Sequence, residues 1–300
     1  MAVLFVDPAF PPVSSSVGPG LPEASCWLRC AELWPRAALP PSPGDIVVEQ
    51  GQVGDCWLLA SLSALAASAS APRLLARLFP TADAVAGSVT VSLYAHGAWT
   101  DVTVDTLVPC DAECQPLFAR GSAAAALVEK AYAKVAGSYE AIGRGGRIAP
   151  ALETLTGGAA WSVDAMTIPW KDLRRAVEDN DVFVGAGSEH NLSERELQGV
   201  VGGHAYSILH VVDVGADAYV YQGPTLTVRD GSGSRVVHGA FLGAARYAFA
   251  ASMLGYEGQI SGSLWNDLVY RSAELFESVP EAQRSEEAVR AFERRQGLWR

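Results

Sequence analysis

Basic residues are scarce in this chain. Lys and Arg together number 22 against 33 Asp and Glu, for a formal net charge of −11 and a pI near 4.9, and nowhere do they gather into a sustained run. Their absence argues against a nucleic-acid surface and leaves an acidic membrane face repelled. Long apolar runs are missing too, so no stretch is suited to span a bilayer. The first residues, Met1-Ala2-Val3-Leu4-Phe5-Val6-Asp7-Pro8, lack a basic segment and reach Asp7 before an apolar core of signal-peptide length builds, so the chain reads as cytoplasmic, without a secretory leader. Cysteine is sparse and odd in number, five in all, which points to free thiols in a reducing compartment. Cys26/Cys30 and Cys110/Cys114 share a four-residue spacing, but no His stands at an offset that completes a zinc set. Structural, reduced thiols are expected there.

What the chain does have is a globular composition, 49% hydrophobic and 18% charged over 300 residues, enough for two lobes. Its most informative stretch is Gln50 to Ala67, QGQVGDCWLLASLSALAA. Gly51 and Gly54 break regular structure before Cys56, Asp55 is of a capping type, and Leu58, Leu59, Leu62 and Leu65 recur at helical spacing. The spacing predicts a buried helix with Cys56 on its first turn. There, unpaired backbone N–H groups and the positive end of the macrodipole favour thiolate over thiol. Gln50, on the loop leading in, offers a side-chain amide to an oxyanion. The plainer reading makes Cys56 a small buried hydrophobe under Trp57. Against it stands a second Gly-flanked element, Gly202-Gly203-His204-Ala205-Tyr206-Ser207, which opens a β-like run. A cysteine followed by a His at about 130–150 residues is the papain-type order of nucleophile and base.

Five blocks in order, Leu4 to Pro11 (LFVDPAFP), Gln50 to Ala60 (QGQVGDCWLLA), Leu127 to Glu140 (LVEKAYAKVAGSYE), Leu155 to Gly158 (LTGG) and Gly203 to Ser207 (GHAYS), resemble the core of calpain-type cysteine proteases. The resemblance implies a papain-like two-lobed α+β fold, with a helical lobe carrying Cys56 and a β-rich lobe carrying His204. It also implies that Cys56 is the nucleophile, His204 the general base and Gln50 the oxyanion donor. The family's third member is Asn followed by Pro, Trp and Gly. Here Arg229-Asp230-Gly231-Ser232-Gly233 puts Asp230 in the Asn place and Ser232 in the Trp place. A carboxylate can also orient a His. A rival alignment through the stretch before Trp265-Asn266-Asp267 puts Ser252 there instead. The family's calcium sites imply carboxylates where this chain has Val47 and Ser122, so the first site reads as lost, with Asp267 able to keep part of the second. No cofactor is therefore expected to be required, calcium remaining possible.

In chain order, residues 1–45 read as an extended Pro/Ser/Gly-rich arm with a short helix around Glu23 to Leu33. Residues 46–180 form the helical lobe and 181–300 the β-rich lobe. Pro72 to Phe79 reads as helix, Ser88 to Val108 as a hairpin turning at His96-Gly97, Ala123 to Tyr139 as helix, Trp161 to Ile168 as strand and Trp170 to Glu178 as helix. Strands follow from Val182, at Ala205 to Val214, Ala218 to Gln222 and Thr225 to Val228. The chain ends at Gly297-Leu298-Trp299-Arg300, where the resemblance to the core ends, and reads as a core without accessory domains. Two functions stand: an intracellular endopeptidase making limited cuts in protein substrates, or a catalytically impaired relative that uses the same surface to bind proteins.

Overall fold

The computed structural model describes residues 4–83, 86–164, 170–179, 181–187, 203–213, 224–230, 233–238 and 248–253. The chain divides into two compact units, Met1–Arg147 with Asp230–Gly233, and Ile148–Arg229 with Ser234–Arg300.

The first unit runs α1 (Ser14–Val17), β1 (Cys26–Arg29), α2 (Cys30–Leu33), α3 (Cys56–Ala66), α4 (Ala71–Leu78), β2 (Thr81–Asp83), β3 (Ser88–Ala95), β4 (Ala98–Asp105), β5 (Leu107–Cys110), α5 (Ala123–Ala136) and α6 (Tyr139–Gly143). Strands β2, β3 and β4 form an antiparallel meander, and the β3/β4 hairpin turns through His96 and Gly97 as the sequence suggested. Both turn residues have positive φ, 52° and 80°, the conformation a two-residue hairpin loop favours. The helix expected around Glu23 to Leu33 needs correction: Cys26–Arg29 is a strand, paired antiparallel with β5, and only Cys30–Leu33 is helical. Apolar spacing over so few residues cannot tell a helical turn from a strand, and a partner strand far along the chain decides it.

The second unit runs α7 (Ile148–Thr156), β6 (Ala159–Asp164), α8 (Trp170–Glu178), β7 (Val182–Gly187), β8 (Ala205–Asp213), β9 (Pro224–Asp230), β10 (Gly233–His238) and β11 (Ala248–Met253), except that Asp230 at the end of β9 and Gly233 at the start of β10 count with the first unit. Its six-stranded sheet has the order β10-β9-β8-β7-β11-β6. Strand β7 is buried from Val182 to Ala186, and α7 packs on β6, β7 and β11 while α8 packs on β7 and β8. Helix α7 and strands β10 and β11 were not expected from the sequence. The strand expected at Ala218 to Gln222, and Asp267, lie outside the described residues.

Helix α5 organises the first unit. Ser122 caps it by accepting from Ala125 N at 3.3 Å, and Gly137, with φ 100°, closes it. Small Ala residues let neighbours close on every side, so Ala123 through Ala131 are all buried, Glu129 and Lys130 included. Lys130 Nζ donates to Asp105 Oδ1 and to Leu107 O, each at 2.6 Å. Asp105 also accepts from the Asp7 N–H at 2.7 Å and the Leu107 N–H at 2.8 Å, which completes its carboxylate. One turn on, Lys134 Nζ reaches Asp7 Oδ2 at 2.7 Å, so the same helix pins the N-terminal arm. Phe10 lies beside Tyr139, ring centroids 5.8 Å apart. Burial pushes the Lys130 ammonium pKa down, and Asp105 opposes it.

Lys130→Met should therefore destabilise the fold by about 3–5 kcal/mol, because it strands a buried carboxylate. Arg144→Ala, which removes an exposed pair with Glu140, should change stability by no more than about 0.5 kcal/mol. Urea unfolding of the two variants beside the wild type measures both.

Candidate active site

The segment entering α3 is threaded between backbone carbonyls. A Cβ on Gly51 would collide with the carbonyl oxygens of Leu117 and Phe118, and one on Gly54 would lie 2.7 Å from Gly143 O. At both positions it is the close approach of another backbone that requires glycine. The Gln52 N–H donates to Leu117 O at 2.8 Å and the Arg120 N–H to Glu49 O at 2.9 Å, so residues 117–120 clasp the loop from both ends. Within it, Gln50 Nε2 donates to Val53 O at 2.7 Å. A primary amide has two N–H groups, so this bond fixes the side chain and leaves the second to serve another acceptor.

Helix α3 begins at Cys56, as the spacing suggested. Cys56 is half-buried, whereas Trp57 through Leu65 are all buried. Trp57 anchors the first turn: its Nε1 donates to Ile142 O at 3.3 Å and its ring meets Tyr132 of α5 edge-on, centroids 5.4 Å apart. The thiol thus sits at the open end of an otherwise enclosed helix whose start cannot swing.

Asp55 stands at the N-cap but does not cap; its side chain takes no hydrogen bond from the helix. It is fully buried, and as a carboxylate neither of its oxygens has a donor. What it meets is Glu129, itself buried, whose oxygens accept from the Ala119 N–H at 3.0 and 3.1 Å. Two carboxylates offer each other no donor, but with a proton held between them they become hydrogen-bond partners. Burial above all pushes Asp55 up to about 7, and burial followed by the charge of Asp55 holds Glu129 well above the carboxylate range. The Tyr139 phenol is fully buried, and burial followed by the charge of Glu129 pushes it up. The sequence reading overlooked this pair, although an acidic residue within an Ala-rich buried run was a visible signal.

In the second unit, His204 precedes β8 directly and follows Gly203, whose φ of 65° turns the chain into the strand. The His204 ring is half-buried and meets Tyr206 edge-on, centroids 4.9 Å apart at 82°. Strand β9 adjoins β8, with Arg229 opposite Ser207, and Asp230 is the residue that ends β9. Ser252 lies in β11, opposite Phe183 of β7 and Ala160 of β6, so β7 stands between its strand and that of His204. Gln50 and Cys56 belong to the first unit and His204 to the second.

The two positions where calcium ligands were sought do not fit that ion. Ser122 Oγ donates to Val47 O at 2.9 Å and accepts from the Val47 N–H at 3.2 Å, and neither residue supplies the charged oxygen a calcium site uses.

A family model described as calpain family cysteine protease matches residues 5–239. The chain is 33% identical over 234 residues to Calpain-type cysteine protease DEK1 of Zea mays, covering 70% of this chain and 10% of that protein. It is 33% identical over 246 residues to the Calpain-1 catalytic subunit of Mus musculus, covering 74% and 33%, and 34% identical over 223 residues to Calpain-A of Drosophila melanogaster, covering 69% and 26%. The chain thus spans about a third or less of the length of these relatives.

The carboxyl pair sets a pH dependence of stability. In the unfolded chain both groups release their protons near about pH 4. In the fold Asp55 keeps its proton to about 7, and Glu129 shifts the same way. Across that window the folded state binds more protons, so the pair's contribution is greatest at the acidic end and is lost as pH rises. Asp55→Asn/Glu129→Gln is neutral throughout, so its thermal midpoint relative to wild type should rise between about pH 4 and 7. A difference that stays flat across the window would show that both carboxyls ionise normally.

Proposed function

The chain belongs to the calpain family of cysteine proteases, and from that membership we propose that it is an endopeptidase making limited cuts in intracellular protein substrates without a need for calcium. Its α+β architecture is the papain-like fold of that family. Among the described residues no helix is long and apolar enough to cross a membrane. The observation that carries the proposal is the half-buried thiol of Cys56 at the start of a helix whose next nine residues are buried. A thiol kept for packing belongs among the enclosed residues; this one keeps partial access to solvent and follows the loop that carries the fixed Gln50 amide.

In the proposed reaction His204 takes the Cys56 proton and the thiolate attacks a peptide carbonyl carbon. The second N–H of the Gln50 amide and the Cys56 backbone N–H hold the oxyanion. As the C–N bond breaks, His204 gives its proton to the departing amine. Water, deprotonated by the same imidazole, then hydrolyses the thioester and the thiol returns. Asp230 holds the His204 ring and stabilises the imidazolium, a role supported by the adjacency of β9 to β8. Calcium independence is supported by the Val47 and Ser122 positions.

Digestion of a disordered protein substrate under reducing conditions, followed by gel, tests this. Wild type should cleave at the same rate with calcium and with chelator, and Cys56→Ala should lose at least about a thousandfold. Well-folded wild type that cleaves under neither condition would overturn the proposal in favour of a protein-binding module.

The third member has its own test. Asp230→Ala should lower kcat by about a hundredfold with little change in KM, while Ser252→Ala leaves both near wild type. The reverse pattern would move the role to β11.

A further inference from the structure

Three of the five cysteines gather at one edge of the first unit. Cys26 of β1 lies directly opposite Cys110 of β5 in the strand register, which places their side chains on one face. The chain then folds back. Asp111 Oδ1 accepts from the Glu113 N–H at 3.1 Å and the Gln115 N–H at 2.8 Å, and the Cys114 N–H donates to Asp111 O at 3.2 Å. This turn carries Cys114, at φ 60°, back beside the start of β1, where the Cys26 Sγ donates to Asp111 O at 3.8 Å, the same carbonyl oxygen that accepts the Cys114 N–H. The four-residue spacings of the sequence thus give way to a cluster drawn from both pairs. Cys30 is buried in α2.

The members differ in access. Cys114 is exposed and Cys26 half-buried, while Cys110 is enclosed with its Sγ donating to Val108 O at 3.4 Å. Burial pushes the Cys110 thiol up to about 12 and also raises Cys26, so neither forms thiolate readily. Among the described residues no group of three or more His, Cys, Asp or Glu is placed to hold a metal ion.

We propose that Cys26 and Cys114 form an oxidisable dithiol that hydroperoxides convert to a reversible disulfide, Cys114 reacting first and Cys26 resolving it. The Cys114 thiolate attacks a peroxide oxygen; the O–O bond breaks, water or an alcohol leaves after protonation, and a sulfenic acid forms on Cys114. The Cys26 sulfur then displaces that hydroxyl as water, forming the S–S bond and losing its proton. Two thiols are oxidised by two electrons in all and one peroxide bond is reduced. The link would fasten β1 to the turn that runs on into Leu117 and Phe118, the residues that clasp the Gln50 loop. In a reducing compartment such a bond is transient, and dithiol reductants return it to two thiols.

The test uses the full chain carrying Cys56→Ala, so that the proposed nucleophile consumes no oxidant. After treatment with equimolar hydrogen peroxide, the protein is unfolded, alkylated and mapped by mass spectrometry without reduction. A Cys26–Cys114 linked peptide, two alkylatable thiols lost per chain, and full recovery with dithiothreitol are expected. Adding Cys114→Ser should abolish the link and leave Cys26 fully alkylated. A Cys26–Cys110 link, a link between chains, Cys114 carried to sulfinic acid with Cys26 still alkylated, or no loss of thiol at either position would each overturn the proposal.

Discussion

A lysine ammonium cut off from water must find its counter-charge inside the protein. Lys130 finds it in Asp105, and the first unit is arranged around that requirement. The carboxylate accepts three donors from three parts of the chain, Lys130 on α5, the Asp7 backbone of the arm and the Leu107 backbone at the start of β5. Removing a charge from water is costly, and the cost is offset only where every remaining lone pair is used. The helix, the meander and the arm therefore meet at one polar point and cannot shift independently.

The same helix reaches the candidate site through the preceding residue. Consecutive residues on an α-helix point about 100° apart, so Glu129 faces the α3 side while Lys130 faces the strands. Glu129 accepts the Ala119 N–H and meets Asp55, and Ala119 stands between Phe118 and Arg120, which frame the Gln50 loop. Tyr132 adds its ring to Trp57. The helix that begins at Cys56 is thus held at its start by packing and by a proton-sharing pair rather than by a conventional cap. A negative Asp55 would have favoured the helix dipole. Enclosure in an apolar surround outweighs that gain and keeps the proton on.

Local signals were legible in the sequence where the deciding forces are local. The start of α3 at Cys56, the His96-Gly97 turn, α4 and α8 all follow from spacing and turn chemistry within a few residues. What was not legible depends on partners far along the chain. Cys26–Arg29 is a strand because Leu107–Cys110 lies beside it, and Asp55 looked like a cap because Glu129 was not in view. From the sequence, Gly51 and Gly54 break regular structure before Cys56. Their stronger reason is the approach of carbonyls from Leu117, Phe118 and Gly143, which no window around the loop contains.

Strand order also bears on the residue after His204. Two alignments to the family pattern leave Asp230 and Ser252 as alternatives for the residue that orients His204. A group that orients an imidazole must reach it from a neighbouring element, and in the six-stranded sheet β9 is the neighbour of β8 whereas β11 is one strand removed. In the proposed site, Asp in place of Asn would change the chemistry in a definite direction. An amide orients the ring without charge, whereas a carboxylate also stabilises the imidazolium, favouring the ion-pair form of the proposed Cys56–His204 couple.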